Sequence, residues 1–105
     1  MEIKTFPQVI KVLSKETREI KKDIQDILEM LELGIDVGVP HIRFLSSIYP
    51  GLFEIRVKDR FGQFRVICIL KKDNALYLVH AFRKKTESLP LSERRIILRR
   101  IKEIF

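Results

Sequence analysis

The middle of the chain alternates between apolar and charged side chains, and this pattern predicts a sheet. From residue 52 to residue 58, apolar side chains take one set of alternate positions and charged side chains take the other. A period of two predicts a half-buried strand. Two further runs, at residues 63–70 and 76–83, predict strands of the same kind, with turn-forming residues at 59–62 and 73–74 between them. The three strands should form an antiparallel meander.

Apolar residues at helical spacing flank the predicted sheet on both sides. Pro7 suits the first turn of a helix, and a second apolar stripe runs from Ile20 to Leu31. Ser14 and Thr17 mark either a joint between two helices or a mild interruption in one, and Gly34 should end the second pattern. Ser92 could cap a last helix. That helix has a basic side: Arg94, Arg95, Arg99, Arg100 and Lys102.

The order of these elements predicts an α+β fold. We expect a small antiparallel sheet of three to four strands, packed by two N-terminal helices and one C-terminal helix. Residues 1–6 are either a short strand or a lead-in, and residues 41–49 give no clear pattern. A chain of 105 residues supports one modest core, so we expect a single domain over residues 1–105.

Composition and charge limit the class of protein and the kind of partner. Hydrophobic residues at 46% and charged residues at 33% exclude a disordered chain. Residues 1–53 hold seven Lys/Arg against eight Asp/Glu, whereas residues 54–105 hold fourteen against six. The positive charge therefore lies in the second half, which points to a polyanion such as nucleic acid. A basic surface that only maintains solubility is the alternative.

Hairpin lengths give a strand register. If residues 59–62 form the first loop and residues 73–74 the second turn, Arg56 faces Arg65, and Arg65 in turn faces Phe82. On this register one exposed face of the sheet carries a common set of polar and aromatic residues: Glu54, Arg56, Arg65, His80, Phe82 and Lys84. The other face is the predicted core face, and it carries Phe53, Ile55, Val57, Phe64, Val66, Cys68, Tyr77, Val79 and Ala81.

The exposed face is the candidate site. Two arginines opposite each other on neighbouring strands are unfavourable without an anion, so the patch is either an anion site or a pair of solvated side chains. Phe82 is either a stacking surface for a base or ordinary packing. His80 is either a structural or a catalytic histidine. We expect charge reversal at Arg65 to remove function while leaving the fold intact, because an exposed strand residue packs little.

Three motifs resemble a known family. The segments GLFEIR at 51–56, FRV at 64–66 and HAFRKKT at 80–86, with Pro90 downstream, are similar to the HigB-like branch of the RelE/ParE toxin superfamily. These are phage-derived toxins of type II toxin–antitoxin modules. The resemblance covers about residues 31–101. It implies a RelE-like fold, ribosome-dependent mRNA cleavage, and neutralisation by an antitoxin with a helix-turn-helix domain.

The resemblance also implies roles for individual residues. Arg56 and Arg65 would stabilise the phosphate. Lys84 or Lys85 would hold the flanking backbone or assist the leaving group, and Glu54 or His80 would be the base. Further RNA contacts would come from four residues: Lys58, Phe82, Arg83 and Lys85. The catalytic tyrosine that RelE has near its C-terminus has no counterpart, because both tyrosines, Tyr49 and Tyr77, lie elsewhere.

Other readings stay open at the level of the sequence. The chain could be a ParE-like toxin that inhibits a protein such as DNA gyrase without cutting RNA, or a degenerate module that only binds an antitoxin or nucleic acid. We expect no metal, no cofactor, no membrane span and a cytoplasmic location. The antitoxin could cover Arg56, Arg65 and Lys84 with carboxylates, but we expect it to lie along the N-terminal helices. The toxin–antitoxin complex should bind operator DNA through the antitoxin.

Overall fold

The structure is a computed structural model that describes residues 1–38, 40–71, 73–85 and 88–105. Within these ranges the chain forms three helices and five strands. In chain order they are β1 (Glu2–Thr5), α1 (Pro7–Ser14), α2 (Arg18–Glu32), β2 (Ile42–Phe44), β3 (Leu52–Asp59), β4 (Gly62–Leu70), β5 (Ala75–Arg83) and α3 (Leu91–Ile104). The predicted α+β fold with two N-terminal helices and one C-terminal helix is confirmed.

The five strands form one mixed sheet in the order β1-β5-β4-β3-β2. Strands β2 to β5 are antiparallel neighbours, whereas β1 lies parallel to β5 at the edge. The sheet therefore has slightly more strands than the three to four predicted, and β1 makes it mixed rather than antiparallel. Both extra strands are edge strands of three or four residues, which are too short to show a period of two.

The predicted register of the two hairpins is confirmed at the candidate site. Arg56 pairs with Arg65 across β3 and β4, and Arg65 pairs with Phe82 across β4 and β5. The Lys84 backbone N–H donates to the Gln63 carbonyl at 2.8 Å, which continues the same register beyond the last strand. A two-residue turn at 73–74 also predicts that Lys72 faces Ala75, but Lys72, like the motif residue Thr86, lies outside the described residues.

A β-bulge in β5 changes the register beyond His80. Ile67 pairs with His80 as predicted, but Cys68 pairs with Leu78, so Val79 is the extra residue. The bulge moves Val79 and Tyr77 to the face that α3 covers, and their assignment to the opposite core face was wrong. Residues 76–79 are all apolar, so no alternation of polar and apolar positions could show where the shift falls.

Helices cover both faces of the sheet, but unequally. On one face α1 and α2 pack over the larger hydrophobic cluster, where the predicted stripe residues Ile20, Ile24 and Ile27 are all buried. Thr17 caps α2, since its Oγ1 accepts from the Ile20 N–H at 3.3 Å. On the other face α3 covers only part of the sheet, through a smaller cluster centred on Ile97 and Ile101.

The C-terminal helix begins at Leu91, so Pro90 rather than Ser92 occupies the N-cap position, and the predicted cap was wrong. Because α3 packs against the face that was expected to be open, several of the polar residues there are buried beneath it. In the described ranges no helix combines the length and hydropathy that a membrane crossing requires.

The buried thiol of Cys68 gives a test of the fold. Cys68 lies in β4 with no exposed surface, and burial raises the pKa of its thiol. We expect the native protein at pH 8 to resist an aromatic disulfide reagent and the protein in guanidinium chloride to react fully. The variant Ser46→Cys, which adds an exposed thiol, should react once per chain in the native state. Native wild type reacting as fast as this variant would contradict the fold.

Candidate nucleic-acid interface

A buried ion pair forms the floor of a cleft on the α3 side of the sheet. Arg65 on β4 donates through one terminal nitrogen to Glu54 Oε1 on β3 at 2.5 Å and through the other to Gln63 Oε1 at 3.1 Å. Glu54 is 1% exposed and Arg65 is 3% exposed. The expectation that Arg65 is an exposed strand residue was therefore wrong, since Arg65 is buried at the base of a cleft that residues of α3 and β2 enclose.

The cleft above this pair has a volume of about 570 Å³. Arg43 on β2 and Arg94 on α3 line it together with the floor, and two serines, Ser47 and Ser88, contribute hydroxyl groups. Its remaining lining is apolar: Leu45, Ile48, Leu89 and Leu98. Three guanidinium groups against a single carboxylate give this cleft a positive charge, as an anionic ligand requires.

One polar atom of the floor is not satisfied by the protein. The Nε of Arg65 is buried and has no hydrogen-bond partner in the part of the chain that the structure describes. A buried donor without a partner is destabilising by about 1–3 kcal/mol. Such groups are rare in folded proteins, and a bound ligand, ion or water is one of the explanations for them.

The two arginines that face each other across β3 and β4 are held apart by different acceptors. Arg65 turns to Glu54, whereas Arg56 donates from its Nε to the Pro40 carbonyl at 3.1 Å, at the outer side of the sheet. Arg56 and Lys58 line a separate recess of about 220 Å³ near the β3–β4 hairpin. The predicted patch is therefore divided between a buried arginine and a more exposed one.

His80 is held in place by the C-terminal helix. Its Nδ1 lies 3.1 Å from an Arg100 nitrogen, which donates to it, so Nδ1 carries no proton and Nε2 donates to Glu93. Its ring stacks on Phe82 with the centroids 5.3 Å apart. Burial lowers the pKa of His80, although Glu93 opposes this effect. Both ring nitrogens are thus engaged in fixing α3 to β5.

Of the three consecutive cations after Phe82, the first lies on the other face of the sheet. Arg83 binds Asp59 at 2.7 Å and also Glu16, and so joins β5 to the β3–β4 hairpin and to the α1–α2 joint. Lys84 is half-buried on the α3 side, and Lys85 is exposed. Arg83 therefore does not join the other predicted RNA contacts.

Two cationic residues of the cleft, Arg43 and Arg94, were not predicted to be site residues. Arg43 lies between Ile42 and Phe44 in the segment that gave no clear pattern, and Arg94 was one of several arginines on a basic helix. The alternation around Arg43 is a weak strand signal that could have placed it beside Glu54.

In residues 1–38, 40–71, 73–85 and 88–105, no group of three or more His, Cys, Asp or Glu side chains could hold a metal ion.

The family model that this chain matches describes a toxin-like family in the RelE/HigB-type toxin group. Residues 8–102 match the family model for the phage-derived protein Gp49-like (DUF891), so the chain belongs to that family. Membership implies a cognate antitoxin as a partner. None of the curated proteins compared with the chain matches it.

Removing one member of the buried pair should destabilise the protein. In Arg65→Met the carboxylate of Glu54 would stay buried, with the Arg43 guanidinium 3.9 Å away as its remaining ion-pair partner. We expect a loss of about 3–5 kcal/mol in the free energy of unfolding, measured with urea. The double variant Glu54→Gln/Arg65→Met should recover part of this loss.

Arg95→Met is the control for this measurement, because Arg95 is exposed on α3. Its stability should stay within about 0.5 kcal/mol of the wild type. A loss under about 1 kcal/mol for Arg65→Met would show that the ion pair is not needed to keep Glu54 buried.

The Asp59 cluster should give the protein part of its acid sensitivity. Hydrogen bonds from Arg83 first, and then from Thr17, lower the pKa of Asp59 to about 2. A lowered pKa stabilises the fold above the unfolded value of about 4, and this stabilisation is lost as the pH falls towards 2. Asp59→Asn should therefore be less stable than wild type at pH 7, with the two stability curves converging near pH 2. Parallel curves would contradict the assignment, and Asp73→Asn, at an exposed carboxylate, is the control.

Proposed function

We propose that this protein is the toxin of a type II toxin–antitoxin module of the HigB-like branch, and that it cleaves mRNA on the ribosome. Family membership supports the toxin role. The observation that carries the ribonuclease proposal is the positive cleft on the α3 side of the sheet, where arginines are held on rigid strands and on a helix.

The proposed reaction uses the RNA itself as the nucleophile. The 2′-oxygen attacks the adjacent phosphate, the bond from phosphorus to the 5′-oxygen breaks, and a 2′,3′-cyclic phosphate is left. A step of this kind requires charge stabilisation on the phosphate, which preorganised guanidinium groups supply without a metal ion. In this proposal Arg65 faces the phosphate from the cleft floor, while Arg56, Lys84 and Lys85 hold the flanking backbone, with further contacts from Lys58 and Phe82.

Both candidates for the general base, Glu54 and His80, are already engaged by other side chains. Glu54 is paired with Arg65, and both nitrogens of His80 are engaged by Glu93 and Arg100. For His80 to accept the 2′-hydroxyl proton at Nδ1, the contact with Arg100 must break when RNA binds. This observation favours the alternative function, in which the protein inhibits a protein target such as DNA gyrase without cutting RNA.

The antitoxin in this proposal lies along the N-terminal helices. An apolar groove of about 390 Å³ runs between α1 and α2, and Ile10 at its edge is 56% exposed. Binding there would leave the face of the sheet beneath α3 uncovered and would block access to the ribosome by bulk. The complex would bind operator DNA through the helix-turn-helix domain of the antitoxin.

The experiment combines ribosome assays with analysis of RNA ends. Purified protein added to translating ribosomes should cut mRNA and leave 2′,3′-cyclic phosphate or 3′-phosphate ends, and mRNA without ribosomes should stay intact. Arg56→Gln should lower the cleavage rate by about tenfold or more, because a partly exposed arginine near the phosphate is lost. Lys22→Gln, on the exposed side of α2, is the matched control and should cut at the wild-type rate.

The alternatives give different results when the protein is also expressed in growing cells and the RNA ends are mapped there. Growth arrest without any new RNA end would support inhibition of a protein target. Cleavage that leaves 3′-hydroxyl ends would exclude the internal-nucleophile mechanism.

A further inference from the structure

The cleft above the Glu54–Arg65 pair has the dimensions and lining of a binding site for a small ligand. Its volume of about 570 Å³ lies in the range of about 300–1,000 Å³ that such sites occupy. It is separate from the recess at Arg56 and Lys58, which lies near the β3–β4 hairpin. The two share no lining residue.

The polar groups of the cleft match an anion with further hydrogen-bond acceptors. Arg94 lines the cleft and uses its Nε to donate to the Leu89 carbonyl at 3.3 Å, and no residue in the described ranges accepts from its terminal N–H groups. Arg43 lies 3.9 Å from Glu54 and is about half-exposed at the rim. The buried Nε of Arg65 adds a donor at the floor that no described residue satisfies.

The remaining lining is aliphatic rather than charged. Leu45 is buried and Leu89 is half-buried, so together they offer a fixed apolar surface. Free phosphate would need the arginines but not this surface, whereas a nucleotide has an anionic end, a flat apolar base and acceptors on its sugar and base edges. The whole lining therefore fits a nucleotide better than it fits an inorganic anion.

We propose that the cleft binds one nucleotide of single-stranded RNA, with the phosphate between Arg43 and Arg94 and the base against Leu45 and Leu89. Arg65 Nε donates to an acceptor of the bound nucleotide. This inference rests on the proposed function in that the nucleotide belongs to the mRNA that is cut. It assigns substrate contacts to Arg43 and Arg94, which the sequence motifs do not include.

Amide chemical shifts of the full chain, titrated with a seven-nucleotide single-stranded RNA, test where the ligand binds. The amides of Leu45, Ser47 and Leu98 should shift together and saturate at one affinity. A titration with adenosine 5′-monophosphate should shift the same amides more weakly, because a strand adds contacts outside the cleft. Shifts confined to Arg56, Lys58 and Gln63 would overturn the proposal.

Charge-neutral variants test the two arginines. Arg43→Gln and Arg94→Gln should each weaken RNA binding by about tenfold and reduce the salt dependence of the affinity by about one unit. Arg99→Gln removes an exposed cation from the same helix outside the cleft and is the control. Equal losses in all three variants would show a general charge effect and overturn the assignment.

Failure of this inference and failure of the proposed function give different results. Cleavage and RNA affinity unchanged in Arg43→Gln/Arg94→Gln would overturn the cleft and leave the ribonuclease function standing. RNA bound in the cleft without cleavage on ribosomes would support the cleft and overturn the ribonuclease. Shifts in the cleft that only an acidic antitoxin peptide produces, and RNA does not, would assign the cleft to the antitoxin and overturn the proposal.

Discussion

The candidate site depends on the ion pair between Glu54 and Arg65. A guanidinium that is 3% exposed needs a carboxylate beside it, because an unpaired buried charge destabilises a fold by several kcal/mol. Glu54 lies on the neighbouring strand, one diagonal position away, and meets Arg65 at 2.5 Å. Because both residues lie on strands of the sheet, the pair holds the floor of the cleft in place. It also turns Arg65 away from Arg56.

The helices cover the two faces of the sheet unequally, and the two faces have different roles. On one face α1 and α2 bury a large apolar cluster, and Arg83 ties their joint to the β3–β4 hairpin through Glu16 and Asp59. On the other face α3 covers one end, where Glu93 and Arg100 hold His80. The cleft lies beside α3, so the helix forms one wall of the site as well as part of the core.

Much of the fold followed from the sequence, because its main strands and helices have strong periodic patterns. Only part of the candidate site could be predicted from the sequence. The register correctly placed Arg56 opposite Arg65 and Arg65 opposite Phe82, since hairpin lengths determine it. It could not show that α3 would bury Arg65, because burial depends on where a distant helix packs. The bulge at Val79 was equally hidden, since the residues around it are all apolar.

The basic residues of the second half of the chain lie on different faces of the sheet, which a count of charges cannot show. Neighbouring residues on a strand point to opposite faces, so Arg83 and Lys84 separate although they are adjacent in sequence. Arg83 then binds two carboxylates, and Arg100 binds a histidine and a backbone carbonyl. Both cations stabilise packing. In the cleft, by contrast, Arg43, Arg65 and Arg94 share the single carboxylate of Glu54, so positive charge remains there, whereas Arg83 is neutralised by two carboxylates of its own.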